Sequence, residues 1–337
     1  MEVNVLHKYG ANRHYLALEY LSSVDDLEYR EFLPANGGLK YISDFSWISK
    51  SLATGSKNII GAFEPFSPAV YLFDSLKSRN NVIYHTSWPF WTDDRVPVCM
   101  KNSVIRQKWI SFLQSTTVVT VTKAAARSLE NLNVDAKVIP HSVDIATYYP
   151  REKKLGEDSL TALFVGRLEE RKGVKQILSC VSQTDDIEYV FVGSGPFEDH
   201  IEELASTKGN VTYHGYVTDE ERLASIYRDS DVLLLPSQRA ETWEELFGIV
   251  IIEAMASGIP VIASDCVGPE EIIQPGKTGD LISKKSQDEL LWYLRKYRDN
   301  PQRRIELGEK ARKAAVENYS LEVVGRQWEQ ILKNEYR

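Results

Sequence analysis

Short apolar runs alternate along the chain with longer stretches whose apolar residues recur every third or fourth position, the periods of buried strands and amphipathic helices. Runs at 2–7, 28–33, 58–63, 81–85, 117–121 and 136–139 read as strands of a first half. Those at 160–165, 188–192, 211–215, 231–236, 259–263 and 280–282 read as strands of a second. Helical spacing marks 12–21, 68–76, 102–114 and 123–132 in the first half. In the second it marks the segment opened by Gly173, the apolar segment that stops at Gly258, and 286–297, 301–317 and 318–332. Thr218, with Glu221 three residues on, reads as a capping box for a further helix. Strand, loop, helix, strand in this order predicts an α/β architecture of doubly wound parallel sheets, whose ligands sit at the C-terminal ends of strands. The charged segment 150–158, with its Pro and Gly, reads as a linker.

A chain of 337 residues suits two domains, each with its own core. With 43% hydrophobic and 26% charged residues, the composition is globular, neither disordered nor membrane-spanning. No apolar run approaches the roughly 18 residues that cross a bilayer, and the first residues lack a charged leader followed by an apolar core. The expected location is the cytoplasm. A net charge of −8 argues against a nucleic-acid partner, so binding a phosphorylated ligand requires a few placed cations. Cys99, Cys180 and Cys266 are odd in number and widely spaced, which reads as free thiols in a reducing compartment. The spacing of His and acidic residues suggests no metal cluster, and no metal is expected.

The chemistry concentrates in 236–267, PSQRAETWEELFGIVIIEAMASGIPVIASDCV. Glu245 stands just ahead of the helix and Glu253 about two turns inside it, with seven residues between them. The backbone amides of Phe247, Gly248 and Ile249 at the helix start favour an anion. Glu253 lies in an apolar run, where an unpaired charge costs several kcal/mol, so hydrogen-bond donors are expected around it, such as ribose or sugar hydroxyls. The plainer alternative makes Glu245 a cap and Glu253 a solvated helix residue. Earlier in the second half, Gly166 and Arg167 end a strand, and Lys172 and Gly173 open a helix. That arrangement wraps a loop so that two cations converge on one anion. Gly193, in Gly193-Ser-Gly-Pro196, makes another strand-to-helix turn, which either admits a nucleotide or serves helix packing. In the first half His85 ends a strand; such a histidine is either structural or a donor to a sugar hydroxyl. The aromatic segment Trp88-Pro-Phe-Trp91 and the Trp109-bearing helix with Arg106 and Lys108 read in two ways: a surface for sugar or anionic membrane, or a core helix with a solvated basic face.

Taken together, Gly166-Arg167 with Lys172, and Glu245 with Glu253, resemble the G-R-x5-K and E-x7-E signatures of retaining glycosyltransferases of family 4 (glycosyl transferases group 1). The resemblance covers the second half at motif level and scattered positions of the first: Glu64, His85 and 140–144, where His141-Ser142 replaces the usual Asn-Gly. A Gly-Gly loop usual in relatives is reduced to Gly10.

This family implies a GT-B fold: two Rossmann-like domains facing a cleft, with a C-terminal helix crossing back to the first. The expected boundaries are 1–148, an acceptor-binding domain completed by 318–337, and 156–317, a donor-binding domain. The implied activity is transfer of a hexose-type sugar, with retention, from a nucleotide diphosphate sugar to a glycan or lipid-linked acceptor in cell-surface glycan synthesis. Peripheral association with the membrane is a further expectation. The family roles make His85, Arg167, Lys172 and Glu245 catalytic. Gly166, Gly193, Tyr216, Val217, Phe247, Gly248, Ile249 and Glu253 become donor-binding residues. No cofactor is implied beyond the nucleotide sugar itself. The competing readings are a catalytically silent nucleotide-sugar-binding subunit and a GT-B nucleotide-sugar epimerase.

Overall fold

The structure is a computed structural model that describes residues 1–7, 11–31, 56–63, 65–77, 81–91, 103–151, 159–240, 243–283 and 287–333. Gly10, Glu64, Cys99 and most of the segment 150–158 lie outside the described residues. Two compact units make up the chain, Met1–Ser142 with Leu321–Arg337, and Val143–Ser320.

The first unit carries β1 (Glu2–His7), β2 (Asp26–Glu31), β3 (Lys57–Gly61), β4 (Asn81–Thr86), β5 (Thr117–Thr120) and β6 (Ala136–Val138). Its sheet is ordered β2-β1-β3-β4-β5-β6 with every pairing parallel. Alternation along each strand sends Val3, Val5, Ile59 and Ile83 to one face, with Tyr15, Leu18, Val324 and Trp328 packed over them. Leu6, Ile60, Val82 and Tyr84 go to the other face, under Phe73, Trp91, Trp109 and Phe112. The C-terminal helix Leu321–Lys333 belongs to this unit because its apolar stripe, Val324, Trp328, Ile331 and Leu332, completes the first of these faces.

Three local expectations change. The helix anticipated at 12–21 is two short ones, Ala11–His14 and Leu16–Glu19. Tyr15 between them takes φ −125° and ψ 22°, outside the helical region, and its side chain is fully buried. Trp109 does not face outward: it is fully buried, its indole Nε1 donates to the Ser67 carbonyl at 2.7 Å, and its ring packs edge-on against Tyr84 and Phe73. Trp91 is buried beside it, so of the two readings the core one holds for Trp91 and Trp109. The helix Glu220–Arg228 is capped by Asp219, whose Oδ1 accepts from the Arg222 amide at 3.1 Å; Thr218 is not the cap. Asp219→Ala is accordingly expected to cost about 1 kcal/mol in urea unfolding, and Thr218→Ala only a few tenths.

The second unit carries β7 (Leu160–Val165), β8 (Ile187–Val192), β9 (Val211–Tyr213), β10 (Val232–Leu235), β11 (Val261–Ser264) and β12 (Gly279–Ile282). They form an all-parallel sheet ordered β12-β11-β10-β7-β8-β9. Read in order of appearance, this is the 3-2-1-4-5-6 winding, which reverses direction between β7 and β10. The crevice at the C-terminal ends of those two strands is where a doubly wound sheet binds its ligand.

Candidate functional site

The loop after β7 contains Gly166, Arg167 and Lys172, and the loop after β10 runs from Pro236 to Gly248. The two are tied together directly. The Gln238 amide donates to the Arg171 carbonyl at 2.7 Å, and Gly173, with φ +80°, lies against Pro236 so closely that a Cβ would come within 2.0 Å of its carbonyl oxygen. Only glycine fits there, and this close approach brings the cation loop to the acidic one.

Lys172 Nζ consequently meets Glu245 Oε2 at 2.5 Å, with 20% and 12% of the two side chains exposed. Ser237 Oγ donates to the same carboxylate oxygen at 3.4 Å. The indole of Trp243 lies under both Lys172 and Arg171, at 5.1 and 4.8 Å. Behind Glu245, Glu244 has a fully buried side chain held by Arg239 Nη2 at 2.7 Å and by the Val267 amide at 3.3 Å. The Gly268 amide donates to the Glu245 carbonyl at 3.0 Å, anchoring the same loop from the helix Val267–Ile272. Cys266 is buried with its thiol against the Ser237 carbonyl, a packing position, and Cys180 is buried in the core.

Arg167 and Lys172 pair with different acids. The Arg167 side chain is 68% exposed and pairs with Glu169 at 3.6 Å, an acid it shares with Arg171. The loop between the two cations includes a short 3-10 turn, Glu170–Lys172, which ends at the lysine. Glu253 is buried inside the helix Ile249–Ala256, and Tyr227 donates to its Oε2 at 2.8 Å. A donor for the buried acid was therefore to be expected, but this one comes from the protein, 26 residues away. Nothing in the chain pattern singles Tyr227 out from the other buried residues of its helix.

The backbone positions fall at the same strand ends. Gly166, Gly193 and Gly215 follow β7, β8 and β9 and are laced together, the Gly166 amide donating to Val192 and the Gly193 amide to Gly215. Tyr216 is exposed and Val217 half-buried just beyond. Gly248 is the N-cap of the Ile249–Ala256 helix, with Phe247 buried before it, so the first-turn amides at Gly248 and Ile249 open on the loop that carries Glu245. One Asp-x-Asp spacing, Asp229-Ser230-Asp231, is used structurally: Asp229 pairs with Arg151, and Asp231 accepts from the Thr161 amide and pairs with Arg304. Among the described residues no group of three or more His, Cys, Asp or Glu is arranged to hold a metal ion.

In the first unit His85 ends β4, and three more histidines surround it. His7 ends β1; the His7 and His14 ring centroids lie 5.0 Å apart, and those of His85 and His141 6.0 Å apart. His141 Nδ1 donates to the His14 carbonyl at 3.4 Å, which leaves its Nε2 to accept from His14 Nδ1 at 3.2 Å. Burial and the neighbouring histidines lower the pKa of His14 to about 2 and those of His85 and His141 to about 3. Of these four, only His85 carries a legible signal on its own; the others come together through the topology.

Residues 147–314 match the family described as glycosyl transferases group 1. Over 257 residues the chain is 28% identical to the phosphatidyl-myo-inositol mannosyltransferase of Mycolicibacterium smegmatis, a match covering 72% of this chain and 62% of that relative. The chain thus spans less than two thirds of the length of such curated relatives. The sucrose-phosphate synthase of Thermosynechococcus elongatus superposes with a TM-score of 0.76 at 19% identity, covering 98% of each chain. Anabaena HepE, solved in complex with UDP, gives 0.74 at 16% identity, covering 98% of this chain and 99% of that one. At such identities the likeness establishes the fold, which is GT-B. The segment 147–314, which carries the two paired loops, belongs to the glycosyl transferases group 1 family.

Proposed function

We propose that the protein is a retaining glycosyltransferase of family 4 that moves a hexose-type sugar from a nucleotide diphosphate sugar to a glycan or lipid-linked acceptor of the cell surface. The observation that carries this reading is the contact of Lys172 with Glu245 at the β7/β10 reversal, beside the N-terminus of the Ile249–Ala256 helix. The nucleotide sugar offers each member of that pair a partner of its own. Its diphosphate takes Lys172 and the first-turn amides, and a sugar hydroxyl takes Glu245. Arg167 swings from Glu169 onto the same diphosphate, so that charge developing on the leaving group is neutralised as the anomeric bond breaks. Glu253, oriented by Tyr227, holds the ribose. Gly166, Gly193, Tyr216 and Val217 border the nucleotide, and Phe247 positions the helix start.

No side chain is assigned as a nucleophile, and the proposed route is attack from the leaving-group face. The departing phosphate accepts the acceptor's proton. The mannosyltransferase relative, named for a phosphatidyl-inositol acceptor, supports a lipid-linked acceptor here. A panel of UDP-, GDP- and ADP-hexoses tests the reading: slow hydrolysis of one of them, lost in Lys172→Ala, is expected. Binding without turnover would instead identify a silent subunit, and an isomerised nucleotide sugar an epimerase. NMR of the product's anomeric proton is expected to show the configuration of the donor, and an inverted product would overturn the retaining assignment.

A further inference from the structure

The register of the first sheet sets His7, Gly61 and His85 side by side on β1, β3 and β4, facing the same way. The middle position has no side chain, and a Cβ there would stand 2.3 Å from the Tyr15 hydroxyl and 2.7 Å from the His7 ring. The gap is filled by Tyr15, whose hydroxyl lies 2.7 Å from His85 Nδ1. Trp328 closes the same space, edge-on to His85 at 5.3 Å and tilted against Tyr15 at 5.9 Å. His85 Nε2 is buried and has no hydrogen-bond partner among the described residues.

The hydrogen-bond inventory decides which atom carries the proton. Burial raises the Tyr15 pKa well above its usual value, so the phenol keeps its proton, and burial keeps His85 a neutral imidazole. If Nδ1 carried the proton and donated to Tyr15, both the phenolic hydrogen and the Nε2 lone pair would be left buried without partners. If Tyr15 donates to Nδ1, a single group remains, the Nε2–H. The second arrangement leaves fewer buried polar groups unsatisfied.

We propose that Tyr15 is a positioning residue that fixes His85 in the Nε2–H tautomer, so that Nε2–H, unpartnered among the described residues, is the donor left for a substrate hydroxyl. The inference rests on the transferase reading proposed above and on the catalytic part that the family resemblance gives His85, and adds the residue that sets its proton. Gly61 is the other half of the device, since any side chain there displaces the phenol.

Two-bond 1H–15N correlation spectra of the histidine rings, with His85 assigned by its loss in His85→Gln, test the tautomer without any substrate. His85 is expected to show a protonated Nε2 and a bare Nδ1, and Tyr15→Phe to give mixed tautomers. An Nδ1–H tautomer in the parent protein, or an unchanged one in Tyr15→Phe, would overturn the assignment. With the hexose nucleotide hydrolysed in the panel as the probe, Tyr15→Phe is expected to lower kcat roughly 10- to 100-fold with KM within about twofold, the range for residues that orient a reacting group. It should have no further effect in a His85→Ala background. Gly61→Ala, made as a second route to the same displacement, should reproduce both the mixed tautomer and the lower kcat. Full activity in His85→Ala would overturn the part of His85 in transfer while leaving the tautomer result standing. Loss in His85→Ala with full activity in Tyr15→Phe would overturn the role of Tyr15 alone.

Discussion

Lys172→Ala is expected to lower kcat for the nucleotide sugar by about 10²–10³-fold, the loss typical of removing one preorganised charge from a developing oxyanion. The lysine meets Glu245 in a half-enclosed setting, on the indole of Trp243, and this arrangement holds its ammonium at one point before any ligand arrives. Arg167, two thirds exposed and paired with Glu169 at 3.6 Å, must reorganise to reach the same phosphate. Arg167→Ala should therefore cost less than Lys172→Ala, and its effect should divide between KM and kcat. Initial rates across donor concentrations, with a thermal melt of each variant as the control for folding, check the order. Equal losses, or a larger one at Arg167, would show that the unliganded geometry does not rank the two cations. The melt also matters because removing the lysine leaves the largely buried Glu245 carboxylate with Ser237 as its remaining described side-chain donor.

The second large effect is on stability against acid. His14, His85 and His141 are held neutral in the fold, with pKa values of about 2, 3 and 3, and return to about 6.5 when the chain unfolds. Each therefore takes up a proton on unfolding at any pH between those limits. Their contribution to stability is fully present above about pH 6.5 and declines as pH falls toward 3. The slope reaches about 1.4 kcal/mol per pH unit for each histidine, and about 4 for three acting independently. Urea midpoints of the first unit's transition are expected to fall steeply from pH 7.5 to pH 5.5. A His141→Gln variant should show a slope shallower by about one proton. A midpoint that stays flat over that interval would mean the histidines are not buried neutral.

Much of this protein was legible before any coordinates, and the reason differs from element to element. Leu160–Val165 was marked by an unbroken apolar run because a parallel strand is buried on both faces. The helix Ile249–Ala256 was marked in the same way by its apolar run and the Gly on either side. Glu245 and Lys172 stood out because local patterns around each are dense in chemistry, and the structure brings them into contact. Trp109 was left open between two readings: a basic, tryptophan-bearing helix reads alike whether its aromatic side faces a membrane or a core, and only the neighbours Phe73, Tyr84 and Trp91 decide it.

The order of apolar and polar residues, then, determined which segments are strands, that the sheets are parallel, and which loops hold acid and cation. Sequence spacing determines local geometry, and these are local properties or follow from repeating them. The tertiary structure alone decided that Lys172 meets Glu245 while Arg167 pairs with Glu169, that Tyr227 meets Glu253, and that Tyr15 occupies the space Gly61 leaves between His7 and His85. Each of those depends on side chains from separate elements meeting in one volume. Such a meeting is fixed by sheet register and close packing, which no single stretch of the chain encodes.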